Sequence, residues 1–182
     1  MSAIKQYIKK ILKRLLRLNP VKVPASPGEE HNVIPNHVLF PIIIEELNNG
    51  HTATIVLKGN SMRPFLCHMR DKALLTLPGD FNVGDPVLAE NFPGHYVLHR
   101  VVDIQGETVT LRGDGNIATE TCRRSDVKAL AVAFYRKGRQ KPDLITSRKW
   151  RIYSYVWMHT LPIRVHLLRL HQIFFQSLKV LD

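Results

Sequence analysis

Between residues 52 and 136 the chain is divided into short apolar runs by turn-forming residues, and this limits the folds open to it. Candidate strands cover 52–58, 72–77, 85–90, 95–103, 107–112 and 129–136. Asp80, Gly84-Asp85, Pro93-Gly94, Gln105-Gly106 and Gly113-Asp114-Gly115 punctuate them. Ile104-Gln105-Gly106-Glu107 has the form of a tight hairpin turn. Short strands at this spacing predict a small, curled all-β domain or barrel. Helices flank it. Val38 to Leu47 predicts a short helix with Pro41 near its start, closed by Asn48-Asn49-Gly50. From about Ser147 the chain becomes helical again, with a break at Pro162. The expected class is mainly β with flanking α.

A chain of 182 residues holds one domain with a real core plus appendages, and its 45% apolar content is that of a globular protein. The net charge of +11 belongs to the ends. Residues 1–22 carry seven Lys/Arg and no acid, and residues 136–182 carry ten against two. The stretch between, 23–135, carries nine Lys/Arg against thirteen acids. A uniform isoelectric argument for nucleic-acid binding therefore misplaces the charge.

The expected organisation is a basic amphipathic helix at 1–18, a linker at 19–36, the β domain at 37–138, and a basic amphipathic helical tail at 139–182. In the first helix Ile4, Tyr7, Ile8, Ile11, Leu12, Leu15 and Leu16 share a face opposite six Lys/Arg. In the tail Leu167, Leu170, Phe174, Leu178 and Leu181 share a face, and Trp150, Tyr153, Tyr155 and Trp157 precede Pro162. Such ends suit an anionic membrane surface or a partner's groove. They equally suit packing on the chain's own domain. Nucleic-acid binding is disfavoured, because phosphate-binding tails rarely interleave charge with large apolar residues. No run reaches the ~18 apolar residues of a membrane span, and the N-terminus lacks the unbroken apolar core of a secretory signal. The expected location is cytoplasmic, with peripheral contact at the cytoplasmic membrane face.

The candidate chemistry begins at Lys58-Gly59-Asn60-Ser61-Met62-Arg63-Pro64-Phe65-Leu66. An apolar run stops at a glycine and restarts after a proline, so a hydroxyl is held on a sharp turn at a strand end. Taken alone, a polar turn with a serine is the commoner meaning. His99 lies in Tyr96-Val97-Leu98-His99-Arg100-Val101-Val102, where alternation puts Val97, His99 and Val101 on one face. A histidine there is more often a core residue than a catalyst. A serine hydroxyl at neutral pH needs a base, and an imidazole can take its proton as it attacks. A third group often orients that base. Asp114 and Glu120 are the candidates, with Asp114 favoured for its turn between Gly113 and Gly115, although Asp-Gly is also a plain hairpin signal. Cys67 and Cys122 have no C-x-x-C spacing and no zinc-type array, so reduced thiols are expected, and neither metal nor cofactor is expected.

Taken in order, Gly59-x-Ser61-Met62-x-Pro64, Gly84-Asp85-x-Val87, His99-Arg100-Val101-Val102 and Gly113-Asp114-x-Asn116 resemble the superfamily of LexA-type repressors and signal peptidases. The resemblance covers roughly residues 37–138. It implies a curled β fold and a metal-free serine peptidase. His99-Arg100-Val101 is similar to the archaeal and endoplasmic-reticulum signal peptidases, whose base is a histidine where the other members use a lysine. Ser61 then carries over as nucleophile and His99 as general base. Asp114 falls on the aspartate of the Gly-Asp-Asn-Asn motif, and Glu120 on the later acid, which is an aspartate in the histidine-type enzymes. Gly59 stands where signal peptidases often have serine, so an oxyanion hole would rest mainly on backbone N–H groups, that of Ser61 included. Neither the transmembrane anchor of signal peptidases nor the helix-turn-helix domain of LexA-like repressors is expected from these residues.

The expectation is a Ser/His endopeptidase cleaving a peptide or protein, the chain itself included. The peptide would lie extended along a strand edge beside Ser61. The rival is a catalytically idle β domain of the same fold that serves as a binding adaptor. Substrate, cleavage site and oligomeric state are not encoded legibly.

Overall fold

The computed structural model describes residues 34–179, with the side chains of Gln172 and of residues 174–179 outside the description. The expected helix at 1–18, most of the linker and Leu181 lie outside the described residues. Three α-helices and eight strands follow: α1 (Asn36–Asn48), β1 (Ala53–Val56), β2 (Lys72–Thr76), β3 (Pro86–Phe92), β4 (His95–Gln105), β5 (Thr108–Arg112), β6 (Glu120–Arg123), β7 (Val127–Tyr135), β8 (Asp143–Leu144), α2 (Arg148–His159) and α3 (Arg164–Lys179). All strands belong to one antiparallel sheet in the order β1-β2-β7-β3-β4-β5-β6, with β8 beside β7. The protein is therefore mainly antiparallel β with a few flanking helices.

Alternation along the strands fills two cores. The larger joins Phe40, Ile43 and Leu47 of α1 to Leu75, Leu88, Ala131 and Phe134 of the sheet, and it also takes Trp150 of α2. The smaller gathers Phe81, Val87, Val101, Val109, Leu111 and Val127. Helix α1 buries one face at this three-to-four spacing and ends at Asn49, where Gly50 adopts φ 80° and its N–H bonds Leu47 O at 2.9 Å.

The C-terminal region does more than follow the domain. Ser147 caps α2, its hydroxyl accepting from the Trp150 N–H at 3.2 Å. The helix turns Trp150, Ser154 and Trp157 inward and ends at Thr160, before a 3-10 turn, Leu161–Ile163, that contains Pro162. The packed unit thus continues past residue 138. Of the four aromatics expected to act together, Trp150, Tyr153 and Trp157 join the interior and Tyr155 faces out, 67% exposed. Among the described residues no helix is long and apolar enough to cross a membrane.

Candidate active site

Ser61 sits in a loop held from several sides. Gly59, at φ 95°, takes the chain out of the strand, and its N–H donates to His68 Nδ1 at 2.8 Å. The Arg63 N–H bonds Asn60 O, and the Leu66 N–H bonds Met62 O. Met62, Phe65 and Leu66 point into the larger core. Phe65 stacks on Tyr153 with ring centres 4.7 Å apart and meets Trp150 edge-on at 5.0 Å.

The Gly113-Asp114-Gly115 turn presses on the same loop. The Gly115 N–H donates to Ser61 O at 2.7 Å. A Cβ on Gly113 would lie 2.5 Å from Ser61 O and 2.9 Å from Ser61 Cβ, and one on Gly115 would lie 2.6 Å from Asn60 O. Only glycine admits so close an approach of two backbones. What looked like a hairpin signal therefore fixes the position of the serine.

His99 and Ser61 line one cavity of about 150 Å³, with Gly59, Met62, Cys67 and Leu98 among its walls. Strand pairing fixes the histidine, since β4 lies between β3 and β5 and His99 is opposite Val87. It is 3% exposed. Burial lowers its pKa, while the carboxylates of Glu120 and then Asp114 pull it back up, and nearby His95 adds to the lowering. Nδ1 is buried without a hydrogen-bond partner among the described residues and faces Glu120 Oε2 at 3.7 Å.

The two candidate orienting acids are thereby separated. Asp114 makes no hydrogen bond to His99 among the described residues. Its carboxylate takes both prongs of Arg100, Nε and Nη2 each at 2.8 Å, and the Tyr153 hydroxyl at 2.8 Å. The Trp157 indole N–H donates to Asp114 O at 2.9 Å. A buried carboxylate beside a buried guanidinium takes the strongest hydrogen-bonding partner in reach, and that partner is Arg100. The carboxylate opposite Nδ1 is that of Glu120, while that of Asp114, the acid favoured from the sequence, is bonded to Arg100.

A further residue comes with it. The Asn91 Nδ2 group donates to Glu120 Oε2 at 2.7 Å, and Asn91 Oδ1 lies 2.6 Å from His95 Nδ1. The β3–β4 register slips between Glu90 and Phe92, leaving Asn91 as the extra residue of a bulge. Bulges redirect a side chain in this way beside functional sites. In sequence, Asn91 before Phe92-Pro93-Gly94 reads as an ordinary turn residue. Cys67 and Cys122 are both free thiols. Among the described residues no group of acidic, histidine or cysteine side chains is arranged to hold a metal ion.

A second, apolar cavity of about 320 Å³ adjoins the first and shares Leu57, Lys58, Tyr96 and Leu98 with it. Leu39, Phe40 and Ile43 of α1 form one wall, and β1 forms another. Among the described residues strand β1 pairs only with β2, which leaves its other edge unpaired there, and it leads straight into the Ser61 loop. No protein-family model matches this chain, and no curated protein does.

Proposed function

We propose that the chain is a serine endopeptidase in which Ser61 is the nucleophile, His99 the general base and Glu120 the group that orients His99. The observation that carries this reading is the shared cavity of Ser61 and His99, with the far side of the imidazole turned to a carboxylate. A substrate peptide adds to the open edge of β1 in extended form, its alternate apolar side chains entering the cavity beneath α1. The Ser61 oxygen attacks the scissile carbonyl carbon as its proton passes to Nε2 of His99. Glu120 stabilises the imidazolium through Nδ1, closing the 3.7 Å gap as charge develops. The Ser61 N–H, which no described residue accepts a hydrogen bond from, serves the oxyanion. Collapse returns the proton to the leaving amine, and water, deprotonated by the same imidazole, releases the acyl group.

One observation favours a second reading, the idle adaptor. Nδ1 of His99 has no hydrogen bond among the described residues, whereas a working base is usually oriented by one. A fluorophosphonate probe separates the two. Labelling of the folded protein that disappears in Ser61→Ala and in His99→Ala supports the peptidase. An unlabelled, folded wild type would overturn it.

A further inference from the structure

Helix α2 has two apolar faces, and among the described residues only one is packed. Trp150, Tyr153, Ser154 and Trp157 close on the sheet and on Asp114. At the complementary positions Ile152 is 65% exposed, Tyr155 67% and Val156 51%. Positions 152, 155 and 156 are neighbours on a helix surface. Leu161 and Ile163, in the turn that follows, extend the exposed patch. Single exposed apolar side chains are unremarkable, but a contiguous group on one helix face marks an interaction site.

The charges around this patch have one sign. Arg148, one turn before Ile152, and Arg151 are both exposed, and among the described residues neither forms an ion pair with an acid. Residues 144–179 contain no Asp or Glu. Asp143, just before them, is already bonded by Arg136 and Lys149. A protein groove that needed only apolar contact would not require a uniformly positive rim. An anionic lipid surface attracts one at long range, and it accepts apolar and tyrosine side chains at headgroup depth.

We infer that the outer face of α2, continued by Leu161 and Ile163, docks the protein on anionic lipid, with Arg148 and Arg151 at the headgroups and Ile152, Tyr155 and Val156 below them. This inference is independent of the peptidase reading. Docking leaves the inner face of α2 on Asp114 undisturbed, because the two faces share no residue.

The full chain is sedimented with vesicles of phosphatidylcholine alone and of phosphatidylcholine mixed with phosphatidylglycerol. The expected result is binding to the mixed vesicles only, weakening several-fold between roughly 0.05 and 0.5 M salt as the charges are screened. The triple variant Ile152→Ser, Tyr155→Ser, Val156→Ser lowers the partition coefficient by at least roughly tenfold, since three apolar side chains no longer leave water. Arg148→Glu with Arg151→Glu weakens binding to the mixed vesicles at low salt and leaves little salt dependence behind. Both variants change only exposed positions, and an unchanged thermal melt confirms folding. Three results would overturn the inference: no binding of the wild type to anionic vesicles, equal binding to both vesicle types, or variants that bind like the wild type and so leave the basic residues of 1–22 as the anchor. Loss of a concentration-dependent dimer in the triple variant, without lipid binding in the wild type, would reassign the face to a second copy of the chain.

Discussion

His99 and Arg100 are consecutive residues of one strand, both nearly inaccessible, yet they sit in opposite circumstances. Arg100 uses four of its five donors: two bonds go to Asp114 and one each to Gly84 O and Ser154 Oγ, and its guanidinium lies 4.8 Å from the Trp150 ring centre. His99 has a buried nitrogen with no hydrogen bond among the described residues and a carboxylate at 3.7 Å. Alternation sends adjacent side chains to opposite faces, so one strand can serve a locked side and an open side at once. The locked side stabilises, and the open side keeps unspent hydrogen-bonding capacity beside a cavity. Polar networks inside proteins are costly when half satisfied, so the two sides of this strand differ in what their burial costs.

The comparison breaks most visibly at Arg100. Arg100→Met leaves the Asp114 carboxylate buried and uncompensated, and a loss of about 3–5 kcal/mol is expected in urea unfolding. His99→Gln should cost far less stability while removing hydrolysis. Equal losses for the two would erase the distinction between the sides.

Gly113→Ala tests the link between them. Its methyl group must displace the Ser61 backbone, which we expect to cost about 1–3 kcal/mol and to lower turnover more than substrate affinity. An alanine accommodated without change would mean that the turn does not hold the serine.

Glu120→Gln sharpens the open side. Turnover should fall by ~10-fold with little change in stability, because Glu120 is about a third exposed and in the proposed mechanism acts through the base. The pH profile gives a signed check. Burial holds the His99 pKa below its ordinary value, so activity should reach half its plateau below pH ~6.5. Glu120 pulls that pKa upward, and so Glu120→Gln should move the midpoint lower still. A midpoint that moved upward would remove Glu120 from this role.

Tyr153→Phe deletes one bond to Asp114 and leaves Arg100 in place, for an expected loss of about 1 kcal/mol. The smallest effect concerns pH and stability. A histidine whose folded pKa is lowered binds its proton more readily when unfolded. Its contribution is complete above pH ~6.5, declines as pH falls through the window down to the lowered folded value, and is gone below it. Urea midpoints across that window should lose this slope in His99→Gln.

Much of the β domain was legible because its strands are bounded by turn residues and alternate against a core. The run expected at 95–103 became His95–Gln105, and the Pro162 break fell where expected. β6 was missed because Glu120-Thr121-Cys122-Arg123 is four residues long and carries charge at both ends, so its alternation has too few terms to register. β8, at two residues, has no periodicity at all. Both are ordered by a neighbouring strand and not by their own pattern. For the site, Ser61 and His99 stood out from their local context. Which acid faces His99 did not, because that depends on Arg100 claiming Asp114 and on a bulge at Asn91, and both are matters of register. Tyr153, Ser154 and Trp157 lay in what looked like an appendage, and contact between segments this distant in sequence leaves no local trace.

The chain's two tryptophans, Trp150 and Trp157, lie on the inner face of α2, at 2% and 7% exposure. All indole emission from this protein therefore originates at one seam, between that helix and the turn behind the serine. A spectral shift during titration or unfolding would time the seating of α2 and nothing else. The cavity beneath α1, which has no indole in its walls, would remain optically silent and would need a label of its own.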